Sequence, residues 1–137
     1  MTATPPLVFD RRLVRWRLFR AAGGGAEFLL DRAGEEFCER LASVKRTFSA
    51  VLDTGTPSPR LAARLANRLR PRLLVRMAPL AATAGDGAVL RLVGDEECLP
   101  LAPNCFDLAV SALSLQNLND LPGALVQLRR VLKPDGL

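Results

Sequence analysis

Five residues of this 137-residue chain are of the right types, in the right places, to hold a ligand: Asp53, Gly55, Asp95, Glu96 and Ser111. Each stands at the end of a short apolar run. Carboxylates at 53, 95 and 96 can accept hydrogen bonds from a ligand's amines and hydroxyls, and Gly55 permits a turn that a Cβ would obstruct. This is chemistry of binding rather than of proton transfer. The sequence holds no His, which removes imidazole as general base, as partner of a nucleophile and as metal ligand. Cys38, Cys98 and Cys105 form no CxxC pair and read as buried small side chains in a reducing compartment. No metal site is expected.

The elements that must position these residues follow from periodicity. Residues 47–53 read as a first strand; a turn through Gly55 leads to a helix over 59–69, with Ser58 as N-cap and Pro59 at the first helical position. Leu61, Leu65 and Leu69 mark that helix's buried side. Residues 72–77 read as a second strand, 79–87 as a small-residue segment with a possible short helix closing in a Gly-Asp-Gly turn, 88–93 as a third strand and 106–113 as a fourth. Asn119 or Asp120 caps a last helix, with Leu121, Leu125, Leu128 and Leu132 expected on its buried side. Upstream, a helix over 27–44 carries Leu30, Ala33, Phe37, Leu41 and Val44 as its apolar stripe, and Arg32, Glu35, Glu36, Glu39 and Arg40 outward. Phe9, Leu13 and Trp16 share one side of a basic helix whose Arg11, Arg12 and Arg15 are expected in water. The alternation of strands and helices predicts an α/β fold: a parallel sheet covered on both faces, with its ligand residues along the carboxyl edge. Residues 1–26 read as a lead-in with a glycine break and the basic helix, and 27–137 as the domain.

The net charge of +5 comes almost wholly from Arg, since Lys stands only at 45 and 133. Arginine filling solvent positions accounts for this better than a polyanion site, and one Trp with no Tyr leaves little for base stacking, so a basic nucleic-acid binder is the least favoured reading. No run reaches the roughly 18 apolar residues of a membrane span, and the start lacks the apolar core of an export signal. A cytoplasmic protein is expected, or a mitochondrial-matrix one in a eukaryote.

LDTG at 52–55, GDEECLPL at 94–101, FDLAVSALSL at 106–115, NDLPGAL at 119–125 and LKPDG at 132–136 together resemble class I S-adenosylmethionine-dependent methyltransferases of type 11. With VFDRRLVR near the start they are most similar to the methyltransferase-like assembly factors of respiratory complex I and their bacterial relatives. The resemblance implies a Rossmann-like sheet of which the first four strands are present, so that the chain reads as the N-terminal part of such a domain. It implies S-adenosylmethionine as cofactor, with Asp53 and Gly55 at its methionine part, Asp95 at the adenine amine with Glu96 beside it, and Ser111 lining the cavity. It also implies a protein substrate or assembly partner, by methyl transfer or, as in the assembly factor, by arginine hydroxylation.

Three departures bear on the cofactor. The family loop DxGxGxG has Pro57 and Pro59 in place of two glycines, and each proline removes an N–H. A lost donor to a charged carboxylate costs about 1.5 to 3 kcal/mol, or ten- to hundredfold in affinity. The carboxylate expected after the second strand, for the ribose hydroxyls, falls at Met77. The aromatic or imidazole positions after the fourth strand are Gln116 and Asn117. These departures keep a second reading open, a non-catalytic methyltransferase-fold scaffold. With the fourth strand at an open edge, self-association through it is expected.

Overall fold

The computed structural model describes residues 6–22, 27–81 and 87–137. Four parallel strands form the sheet among them: β1 (Ala50–Thr54), β2 (Leu73–Ala78), β3 (Leu90–Val93) and β4 (Leu108–Val110), in the order β3-β2-β1-β4. Parallel neighbours need crossover connections, and after β1 the crossover is helical, through α3 (Arg60–Leu69). The helices α1 (Arg11–Ala21) and α2 (Phe28–Ser43) precede the sheet, and α4 (Leu121–Val131) follows a single 3-10 turn at Leu115–Asn117. Part of the 79–87 segment, residues 82–86, lies outside the described residues, as do 1–5 and the glycine break at 23–26.

Alternation along the strands divides the core in two. Val51, Leu74, Leu108 and Val110 face Leu61, Ala62 and Leu65 of α3 and Leu41 of α2. Leu52, Val75, Met77, Phe106 and Val131 pack on the opposite face. Leu65 is fully buried, a burial that contributes about 2 kcal/mol. α2 docks on α3 through Gly34, whose missing Cβ leaves room for the Arg64 side chain, and through Asp31, which bridges Arg60 (2.7 Å) and Arg64 (3.1 Å). Asp107 staples β4 to β1: its carboxylate accepts from the Ser49 and Ala50 N–H groups and pairs with Lys133 at 2.8 Å.

Several local expectations need correction. α3 begins one residue later than expected, with Pro59 at its N-cap, and Ser58 Oγ accepts instead from Arg60 N at 3.3 Å. On α4, Asp120 is the cap and Leu128 and Leu132 pack against the core as expected, but Leu121 and Leu125 are exposed, and Ala124 and Val131 are the fully buried positions. The small Ala124 takes the buried place in the first turns, with Leu121 and Leu125 to either side of it in solvent. Cys98 and Cys105 are exposed, and Cys38 is half-buried. α1 also faces the other way round: Leu13 and Trp16 are exposed, while Arg11, Val14, Arg15 and Leu18 face the domain. Electrostatic pairing of Arg11, described next, decides that orientation over the apolar stripe.

Candidate functional site

The carboxyl ends of β1, β3 and β4 bring the sequence-derived residues to one edge. Asp53 and Thr54 close β1, and Gly55 turns with φ +74°, donating its N–H to the Met77 carbonyl at 2.8 Å. Glu96, after β3, reaches across to Gly55 and is buried, whereas the Asp95 side chain is partly exposed. Ser114 Oγ completes the contact around Gly55, and Ser111 lies one step behind it, its Oγ 2.7 Å from that of Ser114. Asp53, Gly55, Asp95, Glu96 and Ser111 are thus neighbours, although Ser114 rather than Ser111 lines the cleft.

The sequence reading missed what covers this edge. One Arg11 nitrogen, Nη2, donates to Asp95 Oδ1 (2.8 Å) and to Glu96 Oε2 (3.1 Å), and Nη1 donates to the Asn117 carbonyl (3.1 Å). Both acidic partners favour the charged form, and the guanidinium pKa is raised although burial opposes this. Asn119 Oδ1 accepts from the Val8 and Phe9 N–H groups, its amide nitrogen donates back to Phe9 O, and Glu97 Oε1 accepts from Asn119 N at 2.6 Å. Residues 8–11, 95–97 and 117–119 therefore form one hydrogen-bonded cluster that straps α1 over the cleft. Between Arg11, Leu18, Gly55, Pro57, Glu96 and Ser114 about 20 Å³ remains, room for a single water.

Asp53 is fully buried beneath this edge. Its Oδ1 accepts from the Thr56 hydroxyl at 2.5 Å, and Thr56 Oγ1 in turn accepts from Ala112 N at 3.2 Å, tying β1's turn to the end of β4. Burial pushes the Asp53 carboxyl up to about 6, against the pull of Thr56 and of Arg76. Arg76 and Thr56 were not singled out from the sequence, yet a lone charge inside the run LLVRMA is a signal that could have pointed to Arg76. Among the described residues no group of three His, Cys, Asp or Glu could hold a metal ion, and no helix is long and apolar enough to cross a membrane.

A family model described as a methyltransferase domain matches residues 52–137, from the middle of β1 through α4. The chain belongs to the methyltransferase domain family. Relatives agree with this. Arginine-hydroxylase NDUFAF5, mitochondrial, of Danio rerio is 34% identical over 95% of this chain and 43% of its own length. The malonyl-[acyl-carrier protein] O-methyltransferase of Methylovorus sp. is 38% identical over the whole chain and 51% of its own. The chain thus spans about half the length, or less, of these relatives. The methyltransferase in complex with the Trm112 methyltransferase activator of Haloferax volcanii superposes with TM-score 0.72 at 22% identity, over 92% of this chain and 57% of that one. An S-adenosyl-L-methionine-dependent methyltransferase of Methanococcus maripaludis does so with TM-score 0.67 at 18% identity, over 99% and 65%. The fold is therefore the Rossmann-like fold of the family.

The family cofactor can be tested against this methyltransferase-domain edge. Its methionine part carries an ammonium and a carboxylate beside the cationic sulfonium; Glu96, at Gly55, fits the cationic groups once Arg11 is displaced, whereas Asp53 is fully buried beneath the edge with one oxygen engaged by Thr56. The ribose end finds nothing equivalent. Met77 is fully buried in the second core cluster, with its Sδ packed over Gly94, where an added Cβ would stand 2.6 Å from it. The acceptor at this edge, Glu96, fits the cofactor's cationic groups, and the ribose clamp is lacking.

Proposed function

We propose that this chain is the cofactor-side part of an S-adenosylmethionine-dependent methyltransferase-family protein, acting on a group that another protein presents, with cofactor held weakly. The observation that carries the reading is the gathering of Asp53, Gly55, Asp95 and Glu96 at one carboxyl edge, around a glycine in the left-handed region. The cofactor, when bound, supplies an electrophilic methyl group. The chain's own task is orientation: Glu96 meets the cationic groups, and the strap formed by α1 shields the edge from water. Names of relatives that act on an arginine or on an acyl-carrier protein support a partner-borne acceptor.

Isothermal titration of the folded chain with S-adenosylmethionine tests this. Saturable heat is expected, and Pro57→Gly, at an exposed position lining the cleft, should tighten binding about tenfold by restoring one donor. No heat up to millimolar ligand in either protein would overturn the reading.

A second reading, a scaffold that keeps the fold without the cofactor, is favoured by the narrow cleft and by the core placement of Met77. Both readings call for association. β4 is the sheet's edge, and residues 132–137 run along part of its outer side: Ala109 N–H donates to the Leu137 carbonyl at 2.9 Å, Leu137 N–H to the Asp107 carbonyl at 3.0 Å and Lys133 N–H to the Phe106 carbonyl at 2.9 Å. Leu121, Leu125 and Val126 are exposed on α4. Sedimentation should show dimers or larger species, and a stable monomer at all concentrations would count against self-association.

A further inference from the structure

α1 is held on the domain by its inner side, through Arg11 and through the tether of Val8 and Phe9 to Asn119, and this fixes its outer side toward solvent. That side carries Arg12, Leu13, Trp16, Arg17, Phe19 and Arg20, all of them exposed. With about 3.6 residues per turn, Trp16 falls at the middle of the face, with Arg20 and Leu13 on one flank and Arg12 and Phe19 on the other. Leu13 is 40%, Trp16 53% and Phe19 69% exposed. No acidic residue occurs between Arg11 and Ala21, and of the arginines on this helix only Arg11 meets a carboxylate among the described residues. Arg20 instead lies over the Trp16 ring, 4.7 Å from its centre.

We infer that this face lays α1 on a membrane surface rich in anionic lipid, with Leu13, Trp16 and Phe19 entering the headgroup layer and Arg12, Arg17 and Arg20 at its phosphates. A surface helix ordinarily turns its large apolar side chains to the core. Here the tether turns them out, so Trp16 and Phe19 need a cover that the domain does not supply. Indole rings favour the membrane interface, and arginine stems lie along apolar surface while their planar forks pair with phosphate. Each cation near an anionic surface raises partitioning about fivefold. At 11 residues α1 is too short to span a bilayer and suits the plane of the interface.

Other acidic partners fit this face less well. A nucleic acid would draw on the arginines for phosphate contact and on aromatic rings for stacking, but Trp16 is already covered by Arg20, no Tyr is present, and Leu13 has no part in either contact. An acidic peptide is gripped in a groove, and the cleft beside α1 opens on the helix's inner side. A convex helix with charges and rings interleaved matches a flat, fluid surface.

Co-sedimentation with vesicles of phosphatidylglycerol and phosphatidylcholine in equal parts, against phosphatidylcholine alone, tests this on the folded chain and needs no cofactor. Trp16 is the only Trp in the sequence, so tryptophan emission reports on this face alone. The protein should sediment with the anionic vesicles, with a blue shift of that emission, and do neither with the neutral ones. Arg12→Glu/Arg17→Glu should weaken binding at least about twentyfold. Arg68→Glu/Arg72→Glu, the same change of charge at exposed positions on other elements, should weaken it far less. Phe19→Ser should cost about tenfold without any change of charge, and it serves even if the arginine variant does not fold. Failure to sediment with the anionic vesicles, binding without a blue shift, or an equal loss in the two arginine pairs overturns the proposal. So does full displacement from the vesicles by an oligonucleotide or by polyglutamate at equal charge, which would give the face to a nucleic acid or to an acidic chain.

Discussion

Gly55→Ala is expected to destabilise the fold by about 2 to 5 kcal/mol. Two independent costs add. At φ +74° a residue with a Cβ meets its own carbonyl, at about 1 to 2 kcal/mol. The new Cβ would also collide with Glu96 Oε1 and stand 2.6 Å from Ser114 Oγ, overpacking of a kind that costs about 1 to 3 kcal/mol. Glu96 has little freedom to withdraw, because it is buried and Arg11 holds its other oxygen at 3.1 Å. Urea denaturation of Gly55→Ala measures the sum, and repeating it on a Glu96→Ala background separates the parts. The share due to Glu96 should vanish in the double variant, and the backbone share and the contact with Ser114 Oγ remain. A loss below about 1 kcal/mol in the single variant would mean that the turn relaxes without touching Glu96.

The contrast between Gly55 and Arg11 shows which part of this site the sequence makes legible. Gly55 sits in a strand-turn-helix unit whose signals are local: an apolar run, a turn residue, then leucines at helical spacing through Leu61 and Leu65. Such signals depend on a few consecutive residues, and the sheet and its carboxyl edge follow from them. Arg11 pairs with carboxylates more than eighty positions away, and no local period carries that information. Helical spacing alone places Leu13 and Trp16 inward, yet two charge-assisted hydrogen bonds, and the tether from Asn119 to Val8 and Phe9, outweigh the burial of two half-exposed side chains. The outward face then carries Trp16 with Arg20 stacked 4.7 Å from its ring centre. The same limit applies to the start of α4, where Ala124 is buried and Leu121 and Leu125 are exposed, while Leu128 and Leu132 follow the spacing onto the core. Arg76 is an intermediate case. A lone charge in an apolar strand is visible in LLVRMA, but its neighbours Asp53 and Arg91 are fixed by strand register, which appears only once the strands are paired.

That register also governs the pH dependence of stability, the second large effect. The Asp53 carboxyl is pushed up to about 6, with burial the main cause and the Thr56 hydroxyl and Arg76 opposing it. In the unfolded chain the same group titrates near 3.8. The folded state therefore holds a proton that the unfolded state has released, and stability falls as pH rises between the two values. The contribution is fully present below about 3.8 and lost as pH passes about 6, a difference of about 3 kcal/mol. Asp107 has the opposite sign. Lys133, first, and the Ala50 and Ser49 N–H groups hold its carboxyl below the usual range, so its contribution is present above that range and lost on acidification through the lowered value. Denaturation midpoints collected from about pH 4 to about pH 7 should therefore fall with rising pH in the native chain, and Asp53→Asn should flatten that fall. Lys133→Met should leave the fall in place and lower the midpoints across this range, because the Asp107 contribution it weakens is present above the usual carboxylate range and already lost in stronger acid. The slope is the informative quantity, because Asn at 53 also takes a negative charge away from Arg76 and so shifts the whole curve. An Asp53→Asn protein that keeps the full descent would mean that the proton resides on another group, and that Asp53 is already ionised beneath the edge.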